Sequence, residues 1–164
     1  MIDPEEIKIK GKSLMSRLRK AMKQIARKSP KELDGLFQEI HVETFAKIDC
    51  LDCANCCKTT GPRLSASDTE RISAHLRMPV KSFEDHYVRI DEDGDRVMKV
   101  LPCPFLMDDN ACSIYTARPK ACRTYPHTDR RRQRQLLNLH LKNVEVCPAV
   151  QQILTRISEH YPYS

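Results

Sequence analysis

Eight cysteines carry the most concentrated chemistry in this chain, and four of them fall together as Cys50-x2-Cys53-x2-Cys56-Cys57. Thiolate sulfur is a soft, strong donor for zinc and for iron–sulfur clusters. A C-x2-C step lets two sulfurs from one tight turn reach the same metal. Cys50, Cys53 and Cys56 take that step twice, which should present three sulfurs to one centre. The run begins like the bacterial ferredoxin segment C-x2-C-x2-C-x3-C-P, but Thr60 stands where the fourth cysteine would be and no proline follows it. A fourth ligand must therefore come from Cys57 or from the distant Cys103, Cys112, Cys122 and Cys147. Turn-forming residues lie close to these four, and Cys103 and Cys147 each precede a proline that stiffens the ligand loop. Eight sulfurs fill two four-coordinate sites, or one site with thiols to spare. Adjacent side chains do not easily serve one geometry, so Cys56 or Cys57 is the candidate reactive or exchangeable thiol, the more so if Arg118 or Arg123 lowers its pKa.

An even cysteine count also suits disulfides, but compartment argues against them. The longest apolar runs are a few residues, too short to cross a bilayer, and Met1 to Lys28 holds no signal-peptide apolar segment. The expected location is the cytoplasm, where clustered cysteines mean metal or redox chemistry. The neighbouring pair Cys56-Cys57 would crowd a disulfide framework. The formal net charge of +6 treats every cysteine as neutral. Four thiolates around one Zn²⁺ carry two negative charges, so two such sites would bring the excess down to about +2. Net charge is thus a weak argument for nucleic acid.

The motifs go beyond spacing. Cys50-x2-Cys53-x2-Cys56-Cys57, then Cys103-Pro104-Phe105-Leu106, then Cys112-x-Ile114-Tyr115-x2-Arg118-Pro119-x2-Cys122-Arg123-x-Tyr125-Pro126 closely resemble the CxxCxxCC cysteine-cluster family. That resemblance implies a zinc- or iron-chelating domain of mostly bacterial distribution, with no agreed reaction. It implies metal-ligand roles for the seven cysteines from Cys50 to Cys122, and Cys147 before Pro148 looks like the closing cysteine of the family. Some longer relatives resemble flagellin lysine N-methylases. Arg118 and Arg123 bracket Cys122, and are expected to neutralise an anionic metal–thiolate centre from just outside its ligands rather than to pair with carboxylates elsewhere.

Helices must position these sulfurs. Leu14, Leu18, Met22 and Ile25 share one face of a first helix, while Lys8 to Lys31 supplies ten lysines and arginines and no acid on the other. Ser29-Pro30-Lys31-Glu32 reads as a capping box opening a second helix with Leu33, Leu36, Phe37 and Ile40 inward. The cluster at 50–57 should be loop-like or a single turn. Ser65-Ala66-Ser67-Asp68 opens another helix that buries Ile72 and Leu76, and a short helical piece follows around Phe83 and Tyr87. Tyr87 to Ile90 and Arg96 to Leu101 alternate as hairpin strands about Asp91-Glu92-Asp93-Gly94-Asp95, an Asp-rich turn without the ligand spacing of a calcium loop. Lys120 to Tyr125 reads as a brief turn or helix carrying Cys122, Leu136 to Leu141 as a strand, and the chain after Pro148 as an amphipathic helix.

The expected fold is α+β: a small helix-rich domain with a loop-rich, cysteine-ligated metal centre and a short hairpin. Its segments are an N-terminal helical part (1–47), the cysteine-cluster domain (48–150) and a C-terminal helix (151–164). The expected ligand is zinc or iron, including a 4Fe-4S cluster, held by Cys50, Cys53, Cys56, Cys57, Cys103, Cys112, Cys122 and Cys147. The leading function is metal binding, as a carrier or accessory factor. The alternatives are an iron–sulfur redox or protein-modification enzyme like the methylase relatives, and a zinc-stapled module binding nucleic acid through its basic faces. No aromatic residue interleaves with Lys8–Lys31 or with Arg130–Arg134, so nucleic acid is not favoured. The dispersed glycines and scattered histidines form neither a phosphate loop nor an obvious ligand set. The sequence points to no protein partner.

Overall fold

The computed structural model describes residues 2–162. Among them are eight α-helices and one two-stranded hairpin, the helix-rich α+β arrangement expected. Chain packing defines two compact units. A discontinuous unit comprises the chain through Cys53 together with Pro126 onward, and a central unit comprises Ala54–Tyr125.

The discontinuous unit contains α1 (Pro4–Lys28), α2 (Leu33–Phe45) and a 3-10 turn (Cys50–Asp52). Two late helices complete it. Within the whole chain's numbering these are α7 (Gln133–Asn143) and α8 (Pro148–His160). Both late helices pack against α1 and α2. Leu18, Met22 and Ile25 of α1 bury against Phe37 of α2 and against Ile153, Leu154 and Ile157 of α8. Asp3 starts α1 by accepting the Glu5 N–H at 2.9 Å, and Pro4 occupies the first helical position, where its missing donor costs nothing. Gly11 is required by close approach: a Cβ there would stand 2.6 Å from the Val144 carbonyl oxygen.

Two local expectations fail here, each for a physical reason. Ser29 does not form a capping box with Glu32. It is the left-handed C-cap of α1, φ 50°, with its N–H on the Ile25 carbonyl, whereas an N-cap needs extended backbone. Glu32 instead accepts a hydrogen bond from the Tyr161 hydroxyl at 3.1 Å. Nor is Leu136–Leu141 a strand; it lies inside α7. The buried face of α7 is Gln133, Leu137 and His140, with Val144 at its end, a helical spacing disguised because two members are polar. Leu139, which made the run look alternating, is exposed. The Gln133 amide donates to the His127 and Arg130 carbonyls and accepts from His140 Nε2 at 2.6 Å, so burial of this polar pair is compensated. Asp34 of α2 caps α7 by accepting the Arg132 and Gln133 N–H groups at 2.8 Å each.

The central unit is built from shorter pieces: α3 (Asn55–Thr59), α4 (Ala66–His75), α5 (Val80–Tyr87), β1 (Val88–Ile90), β2 (Arg96–Met98), a 3-10 turn (Tyr115–Ala117) and α6 (Lys120–Thr124). β1 and β2 pair antiparallel with Val88 opposite Met98 and Ile90 opposite Arg96. The Asp-rich connection is a turn: the Asp91 carboxylate accepts the Asp93 and Asp95 N–H groups, and Gly94 takes φ +81°. Ser65 and Asp68 form the expected capping box at α4. The core is small, with Ile72, Phe83, Met98, Phe105 and Ile114 at its centre. The Tyr87 ring packs between those of Phe83 and Phe105, at 5.3 and 4.9 Å.

Candidate metal centre

All eight cysteines are thiols, with no disulfide among them. In the central unit, four come from different elements. Cys57 lies on α3 and its carbonyl accepts the Cys103 N–H at 2.8 Å, which fixes the Cys103 loop beside α3. An isolated antiparallel bridge pairs Leu106 with Cys112, closing a short loop that brings Cys112 back beside Cys103. Cys122 rides on α6, whose start is anchored by α4. Asp68 accepts the Lys120 N–H at 3.0 Å and is ion-paired with Arg71, and Arg71 donates to the Ala117 and Arg118 carbonyls at 3.3 and 2.7 Å.

These four thiols sense one another. Burial raises the pKa of Cys122 to about 12, and the charges of Cys57, Cys103 and Cys112 push the same way against Arg118. Burial likewise raises Cys103 and Cys112, with Cys57 adding to both. Cys57 is the exception, lowered to about 7 chiefly by a hydrogen bond from the Cys56 thiol. Burial opposes that shift, while Arg118 and Lys58 assist it. Backbone N–H groups of Phe105 and Leu106 point at the Cys103 sulfur, and that of Ile114 at Cys112. Sulfur that receives amide donors is set up to hold negative charge, the arrangement that metal–thiolate centres use. Four soft donors with amides turned towards them fit zinc or an iron–sulfur cluster.

In the discontinuous unit, the 3-10 turn carries Cys50, with Cys53 closing it through an N–H bond to the Cys50 carbonyl at 3.1 Å. Cys147 is the N-cap of α8. Burial raises the Cys147 pKa to about 11, the Val150 and Ala149 N–H groups pull it down, and the charges of Cys50 and Cys53 raise it. Cys50 is exposed and Cys53 buried. The neighbour of Cys50 and Cys53 is therefore Cys147, whereas Cys56 bonds to Cys57. This differs from the convergence of Cys50, Cys53 and Cys56 expected from spacing, because helix α3 begins at Asn55, after Ala54 takes a left-handed φ of 46° and breaks the turn. Among the described residues no three Cys, His, Asp or Glu donors already stand as a closed coordination shell. The thiols are neighbours, and coordination would have to draw them in.

Arg118 acts on Cys57, Cys112 and Cys122. It is held in place by its Nε bond to the Tyr115 carbonyl at 2.9 Å and by stacking 3.6 Å above the Tyr115 ring. Arg123 is not among the charges that shift Cys57, Cys103, Cys112 or Cys122. Sequence reading missed Asp68 and Arg71. The capping role of Asp68 was legible, but its reach across to Lys120 was not. The basic residues of α1, Lys8 to Lys28, are exposed. No helix among the described residues is long and apolar enough to cross a membrane.

A helix-rich α+β chain with buried, amide-supported thiols belongs among the cysteine-cluster metal chelators. Residues 49–148 match the CxxCxxCC family, described as a "putative zinc- or iron-chelating domain", and the chain belongs to that family. No solved structure matches the chain.

Proposed function

We propose that Cys57, Cys103, Cys112 and Cys122 form a four-thiolate metal centre, through which the protein acts as a metal carrier or accessory factor. The observation that carries this reading is the mutual electrostatic influence of four buried thiols whose sulfurs also receive backbone N–H bonds. Cys57, with the lowest pKa of the four, supplies the first thiolate, and the Cys56 thiol supports it as a hydrogen-bond donor. Arg118 and Lys58 offset the negative charge that four thiolates leave around a divalent ion. Phe105, Leu106 and Ile114 hold the sulfurs through their amides, and the Asp68–Arg71 pair positions the turn bearing Cys122. Zinc bound there would staple the loops, whereas a 4Fe-4S cluster would add one-electron chemistry.

The test is anaerobic purification with metal and acid-labile sulfide analysis of the full chain, beside Cys122→Ser. Wild-type protein should carry zinc without sulfide, or iron and sulfide in equal amounts with a brown colour that bleaches on reduction. Cys122→Ser should lose that metal. A wild-type chain that takes up neither metal after anaerobic reconstitution would sink the proposal.

A further inference from the structure

Three cysteines remain outside that centre and Cys56, and all three lie in the discontinuous unit. We propose that Cys50, Cys53 and Cys147 form a second thiolate site, with three protein ligands, which binds a soft divalent cation and leaves one coordination position open to an external thiol. The inference rests on the reading above only in the premise that thiols of this chain take metal.

Three observations support it. First, the 3-10 turn places Cys50 and Cys53 on a C-x2-C step, closed by the Cys53 N–H bond to the Cys50 carbonyl. That step presents two sulfurs from one turn. Second, Cys147 stands near enough for the charge of both to act on its thiol. Third, the Cys147 sulfur receives N–H groups from Ala149 and Val150, in the first turn of the 13-residue helix α8, with Pro148 at the first helical position. A cysteine serving only as a small apolar core residue would not need two amides turned to its sulfur. Here the helix start supplies both hydrogen bonds and the positive end of its dipole to a sulfur that must become anionic to bind metal.

The set is one ligand short of a closed structural zinc site. Three protein ligands with a free fourth position is the composition of zinc sites that accept an external ligand. Exposure points the same way, since Cys53 is buried but Cys50 is exposed at the edge of the site. An incoming thiol would reach the ion from that side. A carrier needs such a position, because a metal held by a closed shell cannot be passed on without first losing a ligand.

The test is anaerobic titration of the metal-free full chain with cobalt(II), read by thiolate-to-cobalt charge-transfer absorption. Wild-type protein should take up two equivalents. Cys147→Ser should take up one and keep the band of the four-thiolate centre. Cys122→Ser should take up one with the band of the other site, and adding 2-mercaptoethanol should shift that band alone. Because Cys122→Ser risks unfolding the central unit, cysteine alkylation mapped by mass spectrometry on cobalt-loaded wild-type protein provides an independent readout. Cys50, Cys53 and Cys147 should become protected together, in a step separate from protection of Cys57, Cys103, Cys112 and Cys122. One equivalent in wild type that Cys147→Ser retains overturns this inference and leaves the four-thiolate centre standing. Loss of all cobalt on Cys147→Ser shows one shared centre and overturns it as well. No cobalt uptake by wild type overturns both readings. A second equivalent whose spectrum ignores added thiol overturns the open position.

Discussion

The two units order their chains by different means. The discontinuous unit joins four helices of 11 to 25 residues around one apolar cluster that includes Leu18, Phe37, Ile153, Leu154 and Ile157. The central unit has no helix longer than the 10 residues of α4, and its buried cluster is smaller and includes Ala117. Apolar burial contributes about 25 cal/mol per Å², so the long helices carry their own stability while the short ones do not. The central unit fills the gap with polar devices: the Ser65–Asp68 capping box, the Asp68–Arg71 clamp and the converging thiols. The same residue type therefore has different consequences in the two places. Thiols set on a helical scaffold can gain or lose a ligand without disturbing it. Thiols that stand where a core would otherwise be become part of the folding energy.

Metal removal tests that contrast most severely. Binding of a structural zinc by cysteines is worth on the order of 10–16 kcal/mol, as much as the stability of a whole domain. Chelation of the wild-type protein should abolish hydrogen-exchange protection across Ala54–Tyr125 and leave protection in α1, α2, α7 and α8 largely intact. Exchange measured by mass spectrometry, segment by segment, decides it. Equal loss in both units would erase the comparison, and unchanged protection in the central unit would show that its small core suffices.

The Asp68 clamp should give the next largest effect. Burial works to raise the Asp68 pKa, but hydrogen bonds from Ser65, Arg71 and the Lys120 N–H hold it down at about 2, so the carboxylate is charged at neutral pH. Asp68→Ala removes a cap, strands the Arg71 guanidinium and releases the start of α6. The expected cost is about 3 kcal/mol, the scale for losing one partner of a buried ion pair. Metal affinity should fall with it, because Cys122 loses its anchored turn. Thermal unfolding and competition for zinc with a chromogenic chelator measure the two effects. Lower stability with unchanged zinc affinity would separate the clamp from the metal centre.

Much of the fold was legible because its long helices repeat apolar residues at helical spacing, as Leu18, Met22 and Ile25 do. The capping box at Ser65 and the Asp91 turn were legible from local chemistry alone. What escaped was non-local or polar. Ser29 and Glu32 have the right types for a cap, yet the geometry that ends α1 claims Ser29 first. Helix α7 hides its buried face because Gln133 and His140 satisfy one another inside the core. At the candidate site the cysteines could be counted and their family recognised, but not sorted. Spacing groups Cys53 with Cys56, while Cys147 reaches Cys50 and Cys53 through helix packing that no local pattern encodes. Motif extent and chain packing also divide the protein differently: the motifs set off residues 48–150, whereas packing gathers both ends of the chain into one unit.

The smallest effect concerns acid, and it should appear in the discontinuous unit. His140 is fully buried on α7, stacked 5.3 Å from the Phe37 ring, with its Nε2–H committed to Gln133. Its Nδ1 has no hydrogen-bond partner, so a second proton there would be buried without an acceptor. Burial first, and the neighbouring His127 second, lower its pKa from 6.5 to about 4. The folded state therefore resists protonation that the unfolded chain accepts. Stability from this group is fully present above pH 6.5 and is lost as pH falls through that value towards 4, amounting to about 2 kcal/mol at pH 5. His127, lowered by its own burial and by Arg130, acts in the same direction. His140→Gln keeps an amide donor for Gln133 and cannot titrate. It should lower stability by packing loss at every pH, yet flatten the slope between pH 7 and 5. The metal-free protein is the right sample, since acid would otherwise act through the thiolates, and urea unfolding followed by circular dichroism is the readout. A slope identical to wild type would mean that the acid sensitivity of this unit resides in His127 or elsewhere, not in the buried ring of α7.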